Sequence, residues 1–286
     1  MKIVVIANGK AVNKSQTMQV CETLSAMGAQ IILPPKSLPF PDSAHTELLT
    51  SGNVVVVLGG DGTMIHTAKR AAAVGRAVLG INCGHLGFMA GLEFDELDRL
   101  HKLMTGDYKI EQRMMLDVAI TRNNANIASL SALNELSISR AVRSHMVELE
   151  IDSGEEQVIS YRADGVIIAT PTGSTAYSLS AGGPIADPRL SCMLVTPICP
   201  HSLYARSYIF HADTQLSLRL CGNTASAEAF ATVDGEAFSS DGSERSIPLE
   251  SGDIVTVSRS TVSAGLIKLK EAPFYDILNQ KLTTRR

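Results

Sequence analysis

The chain holds 286 residues, 45% of them hydrophobic and 19% charged, with a formal net charge of −4. That balance excludes a largely disordered chain and argues against nucleic-acid binding through bulk positive charge. At roughly 100–200 residues per domain, the length predicts two domains. The first apolar run, 2–7 (KIVVIA), reads as a strand; it is too short for a signal peptide and no cleavage pattern follows it. Over 15–27 (SQTMQVCETLSAM), Met18, Cys21, Leu24 and Ser25 share one helical face. Gly28 ends that helix, and 30–33 (QIIL) is a second strand. A loop studded with Pro34, Pro35, Pro39 and Pro41 follows. Residues 53–58 (NVVVVL) show no alternation, as expected of a strand covered on both faces, and the run is far too short to span a membrane. Residues 63–74 and 94–104 read as helices, and 77–81 (AVLGI) as a strand. This βαβα rhythm predicts an α/β domain over 1–110 with a Rossmann-like, doubly wound parallel sheet.

From about residue 115 the texture changes. Short β-prone segments at 115–121, 146–151, 156–161, 165–169, 192–196, 215–221, 228–233 and 253–258 are separated by turn-forming groups such as SGEE, CGNT and SSDGS. Only 173–180 reads as a helix there, so a β-rich domain is expected over 111–269. A short amphipathic C-terminal helix, 274–283, either returns to the first domain, giving that domain 270–286, or caps the second. The five cysteines, Cys21, Cys83, Cys192, Cys199 and Cys221, are scattered without a C-x-x-C pair. They predict neither a disulfide framework nor a zinc site, and fit small buried hydrophobes in a reducing cytoplasm.

Three groups of residues could carry chemistry. Gly59-Gly60-Asp61-Gly62-Thr63 lies between a buried strand and a helix, beyond the carboxyl end of the strand, where ligands of open α/β sheets bind. Its glycines permit a sharp turn and close approach, so Gly59, Gly60, Gly62 and Thr63 are candidate phosphate contacts at a helix start. Asp61 is the odd member, since a carboxylate repels phosphate. It either serves as an acid–base group taking a proton from a substrate hydroxyl, or caps a helix that Thr63 begins. The chain has no G-x-x-x-x-G-K-[ST] and no G-x-G-x-x-G after the first strand, which excludes a P-loop enzyme and weakens a dehydrogenase reading. The second group, Thr170 to Pro184 (TPTGSTAYSLSAGGP), gathers hydroxyls and Tyr177 around a helix start. It could bind phosphate, ribose or a flat base, or be a Ser/Thr-rich turn with an N-cap; Gly182-Gly183-Pro184 is a helix stop. The third, Asn134-Glu135, is a paired amide and carboxylate able to bond both hydroxyls of a ribose, or an amine and a ring nitrogen; by itself it is a pair that any exposed loop can contain. Arg162 and Asp164 flank a strand, with Asp164-Gly165 also readable as an ordinary turn, and His145 stands alone.

Taken together, GGDGT, NCGHLGFMA at 82–90, Asn134-Glu135, the RADG segment and TGSTAYSLSAGGP resemble the NAD kinase family in order and spacing, from residue 1 to about 275. GGDGT alone is shared with diacylglycerol, sphingosine and phosphofructo-kinases; the Thr-Gly-Ser-Thr-Ala-Tyr segment is far more specific. The resemblance implies transfer of the γ-phosphoryl group of ATP to the 2′-hydroxyl of the adenosine ribose of NAD, on an α/β domain followed by a β-rich one. By that likeness Asp61 is the proton acceptor with Gly62 beside it. Asn134 and Glu135 hold the adenosine ribose, and Asp164 meets the nicotinamide carboxamide. Thr175, Ala176, Tyr177, Ser178, Leu179 and Ser180 line the dinucleotide pocket, and His145 and Arg162 add nucleotide contacts. At 233–236 the chain reads VDGE where many bacterial relatives have DGQ. A carboxylate at Glu236 thus replaces an amide, and Asp234 becomes the alternative contact. Met89 stands where leucine is usual, a volume-conserving change. A divalent cation, Mg²⁺, is expected with ATP, and the resemblance implies a homodimer or homotetramer without nucleic-acid or membrane partners. The rival readings are a lipid or sugar kinase of the GGDGT group and a non-catalytic nucleotide sensor.

Overall fold

The computed structural model describes residues 1–7, 12–34, 43–84, 87–141, 145–154, 156–221, 229–236, 246–271 and 273–284. Pro35, Pro39 and Pro41, His85 and Leu86 of the 82–90 segment, and most of the CGNT and all of the SSDGS groups lie outside them. The chain forms two compact units, one of Met1–Arg113 with Ser263–Arg286 and one of Met114–Val262.

The first unit opens with β1 (Lys2–Ala7), α1 (Lys14–Ala26), β2 (Gln30–Ile32), α2 (Ser43–Ser51), β3 (Val54–Leu58), α3 (Asp61–Ala73) and β4 (Val78–Asn82). Short β5 (Leu92–Glu93), a 3₁₀ turn at Phe94–Arg99 and α4 (Leu100–Thr105) follow. Strands β2, β1, β3 and β4 lie side by side, all parallel. One face of β1, β3 and β4 packs Ile3, Val5, Val56 and Ile81 on Val20 and Leu24 of α1 and on Leu97, Leu100 and Leu103. The alternate residues Val4, Val55 and Val57 are equally buried and point to the other face, where α2 and α3 contact β1, β3 and β4. Burial on both faces is why 53–58 carries no polar alternation. Helix α1 starts with a capping box in which the Asn13 side chain accepts the Gln16 N–H at 2.8 Å and Gln16 Oε1 accepts the Asn13 N–H at 3.1 Å.

The chain passes into the second unit within β6 (Lys109–Arg122). It continues through β7 (Ala125–Ala132), β8 (Glu135–Arg140), β9 (Val147–Ser153), β10 (Glu156–Ala163) and β11 (Gly165–Ala169). After a 3₁₀ turn at Gly173–Thr175 and α5 (Tyr177–Ser180) come β12 (Cys192–Ile198), β13 (Tyr208–His211), β14 (Leu216–Cys221), β15 (Ala229–Val233) and β16 (Ile247–Leu249). Strand β17 (Ile254–Lys268) carries the chain back, and α6 (Phe274–Thr284) closes it. One sheet runs β13-β12-β11-β8-β15-β16, every pairing antiparallel. A second antiparallel set runs β10-β9-β14-β17, with the β6–β7 hairpin pairing on β17. Leu136, Ile138, Val166 and Ile168 from one set and Leu149, Ile151, Leu216 and Leu218 from the other share a single core.

Several expected elements come out differently. The 94–104 helix is a 3₁₀ turn that kinks at Glu96 before α4. The 173–180 helix is a 3₁₀ turn broken from the four-residue α5 at Ala176. The expected strand at 253–258 is only the start of the fifteen-residue β17.

At the β8–β11 pairing there is no room for a side chain at position 165. A methyl group there would lie 2.2 Å from the Ile138 carbonyl oxygen and 3.0 Å from Ser139 Cα. Backbone, unlike a flexible side chain, cannot move aside without breaking the ladder. Gly165→Ala should therefore cost the second unit roughly 1–3 kcal/mol, seen as a lower urea midpoint for the loss of β-sheet circular dichroism.

Candidate functional site

The strand-to-helix turn after β3 puts Asp61 in the first turn of α3. The helix starts at Asp61 rather than Thr63. Its N-cap is Gly60, with no side-chain cap bond, so Asp61 does not cap the helix. Instead its carboxylate reaches across the sequence to the 87–90 segment. Oδ2 accepts the Phe88 N–H at 3.0 Å and Oδ1 the Met89 N–H at 3.1 Å. A methyl group on Gly87 would come within 2.6 Å of Oδ1, so the segment can reach the acid only because it begins on glycine. The Lys281 ammonium, from the last turn of α6, lies 3.1 Å from Oδ2. It also sits 3.8 Å over the ring of Phe88, within cation–π range. Phe88 in turn faces Phe274, with ring centroids 6.3 Å apart.

A second lysine supports the same segment from behind. Lys268, at the end of β17, donates to the carbonyls of Met89 at 3.3 Å and Ala90 at 3.2 Å. Burial, and then the neighbouring Arg113 charge, push its amine down to about 8. Neither lysine is marked by any local pattern in the sequence. The amides of Phe88 and Met89 belong to the NCGHLGFMA segment, but side-chain chemistry gives no sign of what they do.

The glycines of the turn have different reasons to be there. Gly59 has φ +154°, a conformation that side chains disfavour. Methyl groups on Gly60 or Gly62 would meet nothing within 4 Å. Packing does not require glycine at those two positions, and the space beside them is open to a ligand.

In the second unit Asp234 and the Thr170–Tyr177 stretch meet at the Leu133–Glu135 turn. Asp234 lies in the tight turn after β15, with φ +51° followed by Gly235 at φ +68° and the Glu236 N–H closing on the Val233 carbonyl at 2.9 Å. From there its carboxylate accepts three backbone N–H groups, those of Leu133, Asn134 and Glu135, at 2.7–3.2 Å. Thr170 fastens the turn from the other side. Its hydroxyl donates to the Leu133 carbonyl at 2.7 Å and accepts the Gly173 N–H at 3.1 Å, while its own N–H donates to the Asn134 carbonyl at 2.8 Å. Gly173 passes so close that a methyl group would lie 2.1 Å from the Asn134 carbonyl oxygen.

Clamped in this way, Asn134 and Glu135 are 7% and 6% exposed. Asn134 Oδ1 and Glu135 Oε2 are both buried without a hydrogen-bond partner. The Tyr177 backbone N–H, at the start of α5, donates to the Glu135 carboxylate. Burial, with the Asp234 charge added, nevertheless pushes the Glu135 carboxyl up to about 8. Two buried polar atoms without partners on consecutive residues are costly in a folded protein and suit a ligand that brings hydroxyls.

The remaining candidates of this unit differ in exposure and position, Asp164 lying beside Arg140 at the far end of β8 from Glu135. Ser178 is buried, its hydroxyl 3.2 Å from that of Thr196. The Thr175 hydroxyl donates to the Thr172 carbonyl at 3.3 Å. Ala176 and Leu179 are half-buried, and Tyr177 and Ser180 are exposed. Gly182, with φ +84°, ends α5. Asp164, between β10 and β11, pairs with Arg140 at 2.8 Å. Arg162 is exposed, and its carbonyl accepts the His201 N–H at 2.8 Å. His145 is exposed and precedes β9, and Glu236 is half-buried. Among the described residues no group of three or more His, Cys, Asp and Glu side chains could hold a metal ion. No helix there is long and apolar enough to cross a membrane.

Residues 41–108 match the ATP-NAD kinase N-terminal domain, and residues 133–269 the ATP-NAD kinase C-terminal domain. The chain is 46% identical over 272 residues to an NAD kinase of Symbiobacterium thermophilum, covering 93% of this chain and 92% of the relative. It is 38% identical over 240 residues to an NAD kinase of Caldanaerobacter subterraneus, covering 84% and 81%. Among solved structures, a yeast NADH kinase complexed with NADH superposes with a TM-score of 0.84 at 23% identity, over 99% of this chain and 87% of that one. An NAD kinase from Archaeoglobus fulgidus in complex with ATP gives 0.76 at 22% identity, over 99% of both chains. At those identities the structural likeness shows a shared fold.

The state of Glu135 has a consequence for stability. An unfolded glutamate titrates near 4.3, so between about pH 4.5 and 8 the unfolded chain gives up a proton that the folded chain keeps. Folding stability must then fall as pH rises through that window. Glu135→Gln, which cannot ionise, escapes this loss. Relative to the parent it should gain more than about 1 kcal/mol between pH 5 and pH 8, measured by urea denaturation without ligand.

Proposed function

The chain belongs to the ATP-NAD kinase family, and on that premise we propose that it transfers the γ-phosphoryl group of ATP to the 2′-hydroxyl of the adenosine ribose of NAD, giving NADP. The observation that carries the reading is the pair of buried, partnerless acceptors on Asn134 and Glu135. A ribose presents vicinal hydroxyls, two groups that an amide and a carboxyl on consecutive residues can bond. Their donation favours ionised Glu135, so binding the sugar relieves the cost that burial places on the free protein.

In this reading Asp61 takes the proton of the 2′-hydroxyl. That alcohol is a poor nucleophile until the proton leaves, and a positioned carboxylate contributes about 10²–10⁴ in rate. Gly59, Gly60, Gly62 and Thr63 receive phosphate at the open start of α3, where backbone N–H groups and the helix dipole favour an anion. The Thr175–Ser180 turn lines the dinucleotide pocket, with the exposed Tyr177 available to a flat ring. Asp164 takes the carboxamide of the nicotinamide, and His145 and Arg162 contact the nucleotide. Asp234 is occupied by three backbone amides, so its part is to hold the Asn134–Glu135 turn in shape. Glu236, two residues further on, stands where many bacterial relatives carry an amide. Any Mg²⁺ would be held by the phosphates of ATP rather than by side chains of the described residues, since that ion relies readily on substrate oxygens and water. When bound, it neutralises phosphate charge.

We place the protein in the cytoplasm, supported by five cysteines that are all free. We also propose a homodimer or homotetramer. Strand β13 ends its sheet with Tyr208 41% and Ile209 61% exposed, and nearby Leu203 and Tyr204 are about 90% exposed. An uncovered apolar edge strand of this kind is a surface for a second copy. The retention of Asp61 in the glycine turn weighs against a non-catalytic sensor.

A coupled assay of NADP formation from NAD and ATP tests the reading directly. Asp61→Asn should keep NAD binding within a few-fold of the parent and lose at least about a hundredfold in kcat. Near-normal turnover would remove Asp61 as the base, and tight NAD binding without NADP from the parent itself would favour the sensor.

A further inference from the structure

The carboxylate of Asp61 carries more donors than its two backbone amides. Oδ2 accepts both the Phe88 N–H and the Lys281 ammonium, which fills the two lone pairs of that oxygen. Oδ1 accepts the Met89 N–H, and among the described residues its second lone pair is left over. Lys281 is itself held in place. Its ammonium rests on the Phe88 ring, Phe88 packs on Phe274 of α6, and Leu278 of that helix is 5% exposed. The side chains of Lys281 and Asp61 are 19% and 32% exposed. Their attraction is therefore less screened than that of a fully solvated pair. Each charge also lies at the helix end that favours it, the acid in the first turn of α3 and the cation in the last turn of α6.

We propose that Lys281 is a positioning residue for phosphoryl transfer. By saturating Oδ2 it fixes the rotation of the Asp61 carboxylate and leaves Oδ1 as the oxygen that takes the substrate proton. The proposal rests on Asp61 being the base. As the bond from the ribose 2′-oxygen to the γ-phosphorus forms, the hydroxyl proton passes to Oδ1. The bond from that phosphorus to its bridging oxygen breaks, and the electron pair leaves with ADP. Lys281 keeps its three protons throughout. The opposite role, a latch that shields Asp61 until substrate displaces it, fits less well. The ammonium binds the oxygen already engaged by Phe88 and makes no bond to the other.

The test uses the full chain with Lys281→Gln, Lys281→Ala and Lys281→Arg, and reads kcat and the KM for NAD separately with the melting temperature of each. Lys281→Gln should lower kcat at least about tenfold, as small displacements of a reacting group do. KM should stay within about twofold, and the melting temperature should fall by no more than a few degrees, because a partly exposed pair adds little stability. Lys281→Arg should recover most of the rate, and added methylammonium should raise the kcat of Lys281→Ala. Combined with Asp61→Asn, Lys281→Gln should cost nothing further, since no base is left to position. Unchanged kcat in Lys281→Gln, a rise in kcat, or full additivity in the double variant would each overturn the proposal. A parent chain that forms no NADP defeats the functional reading instead. The contact is then judged from the Phe88 amide resonance, which must move in Lys281→Gln and stay in Lys281→Arg; a resonance unmoved by Lys281→Gln overturns it.

Discussion

A carboxylate in the first turn of a helix ordinarily bonds the free N–H groups of its own helix. Asp61 accepts the amides of Phe88 and Met89, 27 and 28 residues away, and the ammonium of Lys281, 220 residues away. Charge-assisted bonds of this kind are roughly twice as strong as neutral ones, so the acid acts as a tie between three distant stretches of chain. The 87–90 segment has to lie flat against α3, which needs a glycine at 87. Its outward carbonyls need the buried ammonium of Lys268, which obliges β17 to end there. The return of residues 263–286 to the first unit thus supplies both cations that surround one carboxylate.

The Leu133–Glu135 turn follows the reverse logic. There an acid, Asp234, accepts three backbone amides, and the strain falls on its neighbours. Asn134 Oδ1 and Glu135 Oε2 are left buried without donors, and the Asp234 charge raises the cost of ionising Glu135 further. A sequence optimised only for stability would not keep this arrangement. Local violations of polar satisfaction concentrate where function requires them, and this one is confined to two adjacent side chains whose backbone is clamped from both sides.

Much of this was legible in the chain. Uniform burial of β3 was readable from 53–58, because only a strand covered on both faces can do without polar alternation. The GGDGT turn was readable because glycine and aspartate between a strand and a helix have few purely structural uses. Helix α2 was not, since Ser43–Ser51 has only a weak apolar face and follows a run of prolines. The length of β17 was hidden as well. It passes between two units, and its burial changes from Ile254 to Lys268 without one period. Asp61 stood out as chemistry, but its partners could not be named: two are backbone amides, which every residue has, and one is a lysine on a short terminal helix. Spacing arguments see neighbours three or four residues apart, and these contacts join parts of the chain that only the tertiary fold brings together.

The donor-rich surroundings of Asp61 bear on how such an acid can work. A strong base would be needed there only if the reaction depended on early deprotonation. Phosphoryl transfer does not, in most analyses. Its transition state is loose, little bonding to the nucleophile has formed, and the hydroxyl proton need not leave early. What the acid must supply is a fixed lone pair at the right place when the proton is finally released. Two amides and an ammonium secure that orientation, which the reaction cannot do without.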